Sequence, residues 1–140
     1  MIRAVVDTNV TVSALLFGGV PLKVVHAALA RRFTWVTSPM LMDESERVLK
    51  SDKFGLSDKE IQKLTAPLFA IAEVVVPVKT IDVIKRCPAD NRVLECAVEG
   101  NCSVIVTGDR RDLLSLKVFQ KIQIISARQI PRSHLIYVIL

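Results

Sequence analysis

Apolar positions along the chain alternate between short continuous runs and stripes with helical spacing. Ile2–Val6, Phe33–Thr37, Val74–Val76, Ser103–Thr107 and Ile122–Ser126 are runs of strand length. Strands this uniformly apolar are expected to be buried on both faces, as parallel strands covered by helices are. Between them lie segments with helical signals. Pro21 opens one carrying Leu22, Val25 and Leu29 on one side. Ser38-Pro39 reads as an N-cap followed by proline at the first helical position, which predicts a helix to about Lys50. Ser57-Asp58-Lys59-Glu60 is a capping box with Ile61, Leu64, Leu68 and Ile71 behind it, and Pro67 predicts a kink or division there. Asp90 heads a segment carrying Val93, Leu94, Ala97 and Val98, with an end near Gly100-Asn101. Strands alternating with helices predict an α/β fold: a three-layer α/β/α sandwich around a mainly parallel sheet of about five strands. Residues 1–140 are expected to form a single domain, with the apolar Leu135–Leu140 as a final core element or an oligomer contact.

Composition agrees with a chain that buries a full core. It has 140 residues, 51% hydrophobic and 24% charged. The longest apolar stretch, Leu68 to Val78, is broken by Glu73 and Pro77 and falls short of the roughly 18 residues that a membrane helix needs. Met1-Ile2-Arg3-Ala4-Val5-Val6-Asp7 reads as a strand rather than a secretory leader. Three cysteines, Cys87, Cys96 and Cys102, show no C-x-x-C spacing, so neither a disulfide framework nor a zinc site is expected, and a reducing cytoplasm fits best. Lys plus Arg number 19 against 14 Asp plus Glu, a net charge of +5 that favours an anionic partner such as nucleic acid.

In such a sheet, ligands sit beyond the carboxyl ends of the strands, where connections depart to opposite faces. Asp7 follows the first strand directly, Asp109 follows Val104–Thr107 after Gly108, and Asp90 starts the helix leading into that same strand. Glu44 lies within the helix after the second strand, on a face with Leu41 and Val48, where a carboxylate is costly unless paired or ligating. By contrast, Asp43 with Arg47 and Glu46 with Lys50 read as solvated pairs. Each strand-end acid also has a structural reading: turn or cap for Asp7, cap for Asp90, and cap or strand terminator for Asp109 and Asp112. Jointly, they place several carboxylates on one rim, a conflict that a hard divalent cation relieves through all-oxygen ligation. His26 reads as a packed helix residue and Trp35 as core. No nucleophile elbow, P-loop or dinucleotide fingerprint occurs. Acid-held metal on a basic protein points to phosphodiester chemistry.

Four blocks carry a resemblance to a known family. They are Asp7-Thr8-Asn9 with Val12-Ser13-Ala14-Leu15-Leu16; Thr37-Ser38-Pro39 through Glu44 to Val48-Leu49; Asp90-Asn91-Arg92-Val93-Leu94-Glu95-Cys96-Ala97; and Val106-Thr107-Gly108-Asp109 before Asp112-Leu113-Leu114. In this order they resemble PIN-domain proteins over residues 2 to about 130, nearest to the small prokaryotic VapC-like toxins of toxin–antitoxin pairs. The resemblance implies a Mg²⁺- or Mn²⁺-dependent ribonuclease whose catalytic and metal-binding acids are Asp7, Glu44, Asp90 and Asp109. Asn9 and Thr107 match polar positions beside the site. It further implies a cognate antitoxin that inserts a segment into the groove, and a homodimer. Two departures stand out: Cys87-Pro88-Ala89 where relatives often carry further acids, and Arg110-Arg111 before Asp112, which displaces that acid from a ligand position.

An acidic pocket repels RNA, so binding is expected from a basic rim: Arg92, Arg110 and Arg111 near the acids, with Lys85-Arg86 upstream and Lys23, Arg31 and Arg32 on an early segment. Two other readings stay open at this point. One is a PIN-like RNA- or protein-binding module with little or no turnover. The other is a phosphotransfer domain using one strand-end aspartate, which fits poorly because the first strand ends in Asp7-Thr8-Asn9 rather than Asp-x-Asp.

Overall fold

The computed structural model describes residues 1–108 and 111–128. Asp109, Arg110 and the Leu135–Leu140 segment therefore lie outside the described residues. Five strands follow one another in parallel pairings: β1 (Arg3–Val6), β2 (Thr34–Thr37), β3 (Glu73–Val74), β4 (Val104–Thr107) and, after a short β5 (Val118–Phe119), β6 (Ile122–Ser126). Six strands in all form one sheet in the order β3-β2-β1-β4-β6-β5, with only β5 antiparallel. The helices are α1 (Thr8–Phe17), α2 (Gly19–Leu29), α3 (Pro39–Leu49), α4 (Asp58–Ile71), α5 (Asn91–Glu99) and α6 (Arg111–Leu116).

Alternation along the central strands sends successive side chains into two cores. Ala4, Val6, Val104 and Val106 join Val10, Val24, Val25 and Leu68 from α1, α2 and α4. Val5, Val36, Ile105 and Ile124 face the opposite way, onto Leu41 of α3, Val93, Leu94 and Ala97 of α5, and Leu113 of α6. Helices thus cover both faces, which explains why the middle positions of β1, β2 and β4 are apolar on both sides. Trp35 is buried and stacks on Phe33, with ring centroids 6.5 Å apart.

Local signals set several boundaries. Ser38 caps α3 by accepting from the Leu41 amide at 3.3 Å. The Ser57–Glu60 box closes reciprocally at 3.1 and 3.2 Å. Helix α4 runs through Pro67 as one 14-residue element, so proline does not divide it. Between α1 and α2 the chain turns by 102°, and Gly18 and Gly19 both take positive φ there (72° and 69°), a backbone state that side-chain-bearing residues adopt at a cost. No single described helix is long and apolar enough to cross a membrane.

Three expectations need correction. The buried stripe of α3 is Leu41, Ser45 and Leu49, whereas Val48 is 37% exposed. Glu44 therefore stands at the margin of the stripe, half-buried. His26 lies on the exposed side of α2, because Val24, Val25, Ala27 and Ala28 supply its buried face. Lys50 turns to Asp58, with Nζ and Oδ1 3.8 Å apart, rather than back to Glu46.

Candidate active site

Because β1, β2, β4 and β6 are parallel, their carboxyl ends share one edge. The order places β1 between β2 and β4, so the chain leaves β1 toward one side of the sheet and leaves β4 toward the other. The gap between the ends of β1 and β4 is therefore the switch point where α/β sheets hold ligands.

Asp7 sits at that point. It follows β1 immediately, its backbone N–H donates to Val106 O of β4 at 2.8 Å, and its side chain is completely buried. Asp7 also occupies the cap position of α1, yet its carboxylate makes no capping hydrogen bond. Its Oδ2 instead accepts a hydrogen bond from the Thr107 hydroxyl across the strand gap at 2.8 Å. A carboxylate held inside a fold in this way loses hydration that a cation or hydrogen bonds must replace.

Glu44 is drawn to the same place. The Thr8 hydroxyl, one residue beyond Asp7, donates to Glu44 Oε2 at 3.1 Å. Thr8 is buried, so it fixes the acid of α3 against the start of α1. Sequence reasoning missed Thr8, although a polar residue directly after a strand-end aspartate is the available signal.

Asp90 ends a short 3-10 turn, Pro88–Asp90, and heads α5 with 1% exposure. Its carboxylate likewise makes no capping hydrogen bond. The opposite end of α5 is located by Arg3, whose Nε donates to Gly100 O at 2.7 Å beside the start of β1. A nine-residue helix rises by roughly 13 Å, about the length of a four-residue strand. The head of α5, with Asp90, thus lies toward the carboxyl edge that holds Asp7.

The head of α5 is anchored by its own side chains. Asn91 is 1% exposed; its Oδ1 accepts from the Val83 and Ile84 amides at 3.0 and 2.8 Å. Its Nδ2 donates to Ile84 O and Pro88 O at 2.8 and 3.0 Å. One and two turns on, Glu95 accepts from the Ile81 amide and Glu99 from the Val78 amide. Spacing of four places all three on one flank of the helix. A segment without regular structure is thereby gripped along its backbone. Arg92 belongs to the same device, donating to Ile81 O at 3.3 Å and pairing with Glu95 at 2.9 Å.

The remaining expected residues are distributed as follows. Asn9 is exposed beside Gly108 at the edge of the rim, and Arg111 is exposed at the start of α6. Asp112 lies half-buried in the first turn of α6, its carbonyl accepting from Ser115 Oγ. Arg31 and Arg32 lie in the turn entering β2, at the opposite edge from the acids, and Lys23 belongs to α2. Asp109 and Arg110 fall outside the described residues. Among the described residues, no three Asp, Glu, His or Cys side chains converge closely enough to chelate one ion. The donors at the rim are carboxylate and hydroxyl oxygens, a chemistry suited to a hard divalent cation and unsuited to zinc.

The three cysteines are free thiols. Burial pushes Cys96 and Cys102 up from 9.0 to about 12, which makes both inert at neutral pH. They belong to the core and not to the chemistry.

Comparison with known proteins agrees with this geometry. Residues 3–111 match the PIN domain family, a span reaching from β1 to the start of α6. The chain is also 31% identical over 121 residues to an uncharacterized protein of Methanocaldococcus jannaschii, covering 83% of this chain and 76% of that one. The parallel sheet, the buried strand-end aspartate and the family match together establish that the chain belongs to the PIN-domain family, a nuclease superfamily.

Proposed function

We propose that this protein is a Mg²⁺- or Mn²⁺-dependent endoribonuclease that hydrolyses RNA phosphodiester bonds and acts as the toxin of a toxin–antitoxin pair. The observation that carries the reading is the pairing at the switch point: buried Asp7, fixed by Thr107, with Glu44 tied to the same rim through Thr8. Asp7, with Asp109, would hold the ion, and Asp90 and Glu44 would act on it through intervening water. When bound, a divalent cation supplies Lewis acidity to the phosphate and acidifies water enough for attack near neutral pH.

The chain's own residues do the positioning. Thr107 donates to one oxygen of Asp7 and sets the orientation of the carboxylate. Thr8 does the same for Glu44. Asn91 holds the turn that delivers Asp90. The exposed Arg111, together with Arg110, is assigned to phosphates flanking the cut, while the guanidinium of Arg92 is engaged on Ile81 and Glu95 and helps hold the segment before α5. In-line attack leaves a 5′-phosphate and a 3′-hydroxyl. Resemblance to VapC-like toxins supports the antitoxin partner and a homodimer.

The test is cleavage of a total RNA pool with Mg²⁺, with Mn²⁺ and with EDTA, using Asp7→Asn as control. Metal-dependent cutting that disappears in Asp7→Asn is expected. Equal cutting by both proteins overturns the assignment of Asp7. RNA binding with no cutting in either metal replaces the enzyme with a binding module.

A further inference from the structure

A pocket of about 420 Å³ opens beside the acid rim, between α1, the start of α2 and the end of β6. Val10, Val20 and Ala127 give it an apolar wall, and Asn9, Ser13 and Ser126 place an amide and two hydroxyls around it. The volume lies within the roughly 300–1,000 Å³ of small-molecule clefts, and an apolar wall with a few polar groups is the usual lining.

Its position relative to the acids is fixed by backbone. The Val10 amide donates to Asp7 O at 2.9 Å, so the apolar wall hangs on the same turn as the buried acid. Gly108, which also lines the pocket, follows Thr107, the residue bonded to Asp7. A Cβ at Gly108 would stand 3.9 Å from Asn9 Cβ, an ordinary contact that sets the two residues side by side at the pocket edge. Among the described residues, the pocket lining contains no carboxylate, and the exposed Arg128 adds a positive charge. Neutral hydrogen-bonding groups around an apolar wall suit a flat heterocycle bearing donors and acceptors. Single-stranded RNA presents such groups when a base is splayed from its neighbours.

We propose that this pocket receives the base of a nucleotide adjacent to the scissile phosphate, with Asn9, Ser13 and Ser126 reading its edge. The proposal rests on the ribonuclease reading above and adds to it a specificity subsite. A polar contact made to one base and lost with another is worth about tenfold in preference.

The test has two arms on the full chain. In the first, amide resonances are followed while AMP, GMP, CMP, UMP or ribose 5-phosphate is added. At least one nucleotide is expected to move Val10, Ser13 and Ala127, ribose 5-phosphate to leave them in place, and Ser13→Leu to weaken the response about tenfold or more. In the second, a random-sequence RNA pool is cut and the product ends are sequenced. Wild type is expected to favour one base beside the cut, and Ser13→Leu to reduce that preference to below about twofold. Nucleotide binding in the first arm without Asp7-dependent cutting in the second leaves the pocket standing and overturns the ribonuclease reading. Asp7-dependent cutting with a flanking preference unchanged in Ser13→Leu, or equal responses to nucleotides and ribose 5-phosphate, overturns the subsite.

Discussion

Replacing Asn91 by Ala should damage this protein more than any substitution of a carboxylate at the rim. The side chain is 1% exposed and makes four hydrogen bonds, at 2.8, 2.8, 3.0 and 3.0 Å, to the backbone of Val83, Ile84 and Pro88. Each such bond contributes about 1 kcal/mol net, and a buried partner left unpaired costs about 1–3 kcal/mol. The Ile84 residue is itself 5% exposed, so water does not reach its amide and carbonyl while the segment stays docked. The expected loss is therefore about 4 kcal/mol, limited by the free energy at which residues 81–88 undock and let water in. Against a typical total of about 5–15 kcal/mol, that is a large fraction. Urea denaturation followed by circular dichroism gives the global value, and hydrogen exchange at the Ile84 amide gives the local one. Asn91→Asp separates the donor from the acceptor role. It keeps the oxygen that faces the Val83 and Ile84 amides but turns a second oxygen toward the carbonyls of Ile84 and Pro88. Its penalty should accordingly shrink as the pH falls and the new carboxyl takes a proton. A loss below about 0.5 kcal/mol in Asn91→Ala, with Ile84 protection unchanged, refutes the reasoning.

Other outcomes follow from the same geometry. Gly100→Ala puts a Cβ 2.5 Å from Val36 Cγ1 and 3.2 Å from Cys102 Sγ, and should cost about 1–3 kcal/mol in chemical denaturation, much of it recovered when Val36→Ala is added. Asp7→Asn keeps an oxygen for the Thr107 hydroxyl, so its thermal unfolding should stay cooperative while RNA cleavage falls about 100-fold or more. Mn²⁺ should raise the unfolding temperature of wild type and not of Asp7→Asn, as ligand linkage requires; equal shifts in both proteins count against an ion at Asp7. At pH 8, alkylation of the native protein should be confined to the half-buried Cys87, with Cys96 and Cys102 reacting only after denaturation. Those two thiols are held protonated by the fold, so their stabilisation is complete below pH 9 and declines as pH rises toward about 12. The slope is up to about 1.4 kcal/mol per pH unit per thiol, and it should be shallower in Cys102→Ala.

Elements were legible where one residue type has one physical use. Ile122–Ser126 has the same bounds in the structure as in the sequence reading, and Ser38-Pro39 and the Ser57–Glu60 box set their helix starts as expected. Helix α1 gave no stripe, because Val10 and Ala14 enter one core while Val12 packs into another with Leu49 and Ile61, leaving little polar face to reveal the period. The β5–β6 hairpin went unread because its turn residues, Gln120 and Lys121, take positive φ (47° and 69°) without the glycine or asparagine that announces such a turn. At the rim, Asp7 and Asp90 were picked out in the sequence by their places after a strand and before a helix. Thr8 and Asn91 were not, since each acts through partners 36 and 7 residues away, beyond the reach of local spacing. Glu44 was picked out through a stripe that lies one position further along the helix in the structure, and its contact there is with Thr8 rather than with the core.

The flank of α5 that grips residues 78–88 does so almost wholly through main-chain atoms. Outside Ile81, Ile84 and Cys87, whose side chains pack on the core, evolution is therefore free with the lettering of that stretch and strict with its count. Exchanging Lys79, Thr80 or Asp82 for other residues leaves the grip intact, whereas deleting one residue misaligns every bond upstream of the deletion. Homologous chains should accordingly vary in composition there while keeping its span, and a lengthened version should coincide with a changed residue at the position of Asn91, Glu95 or Glu99.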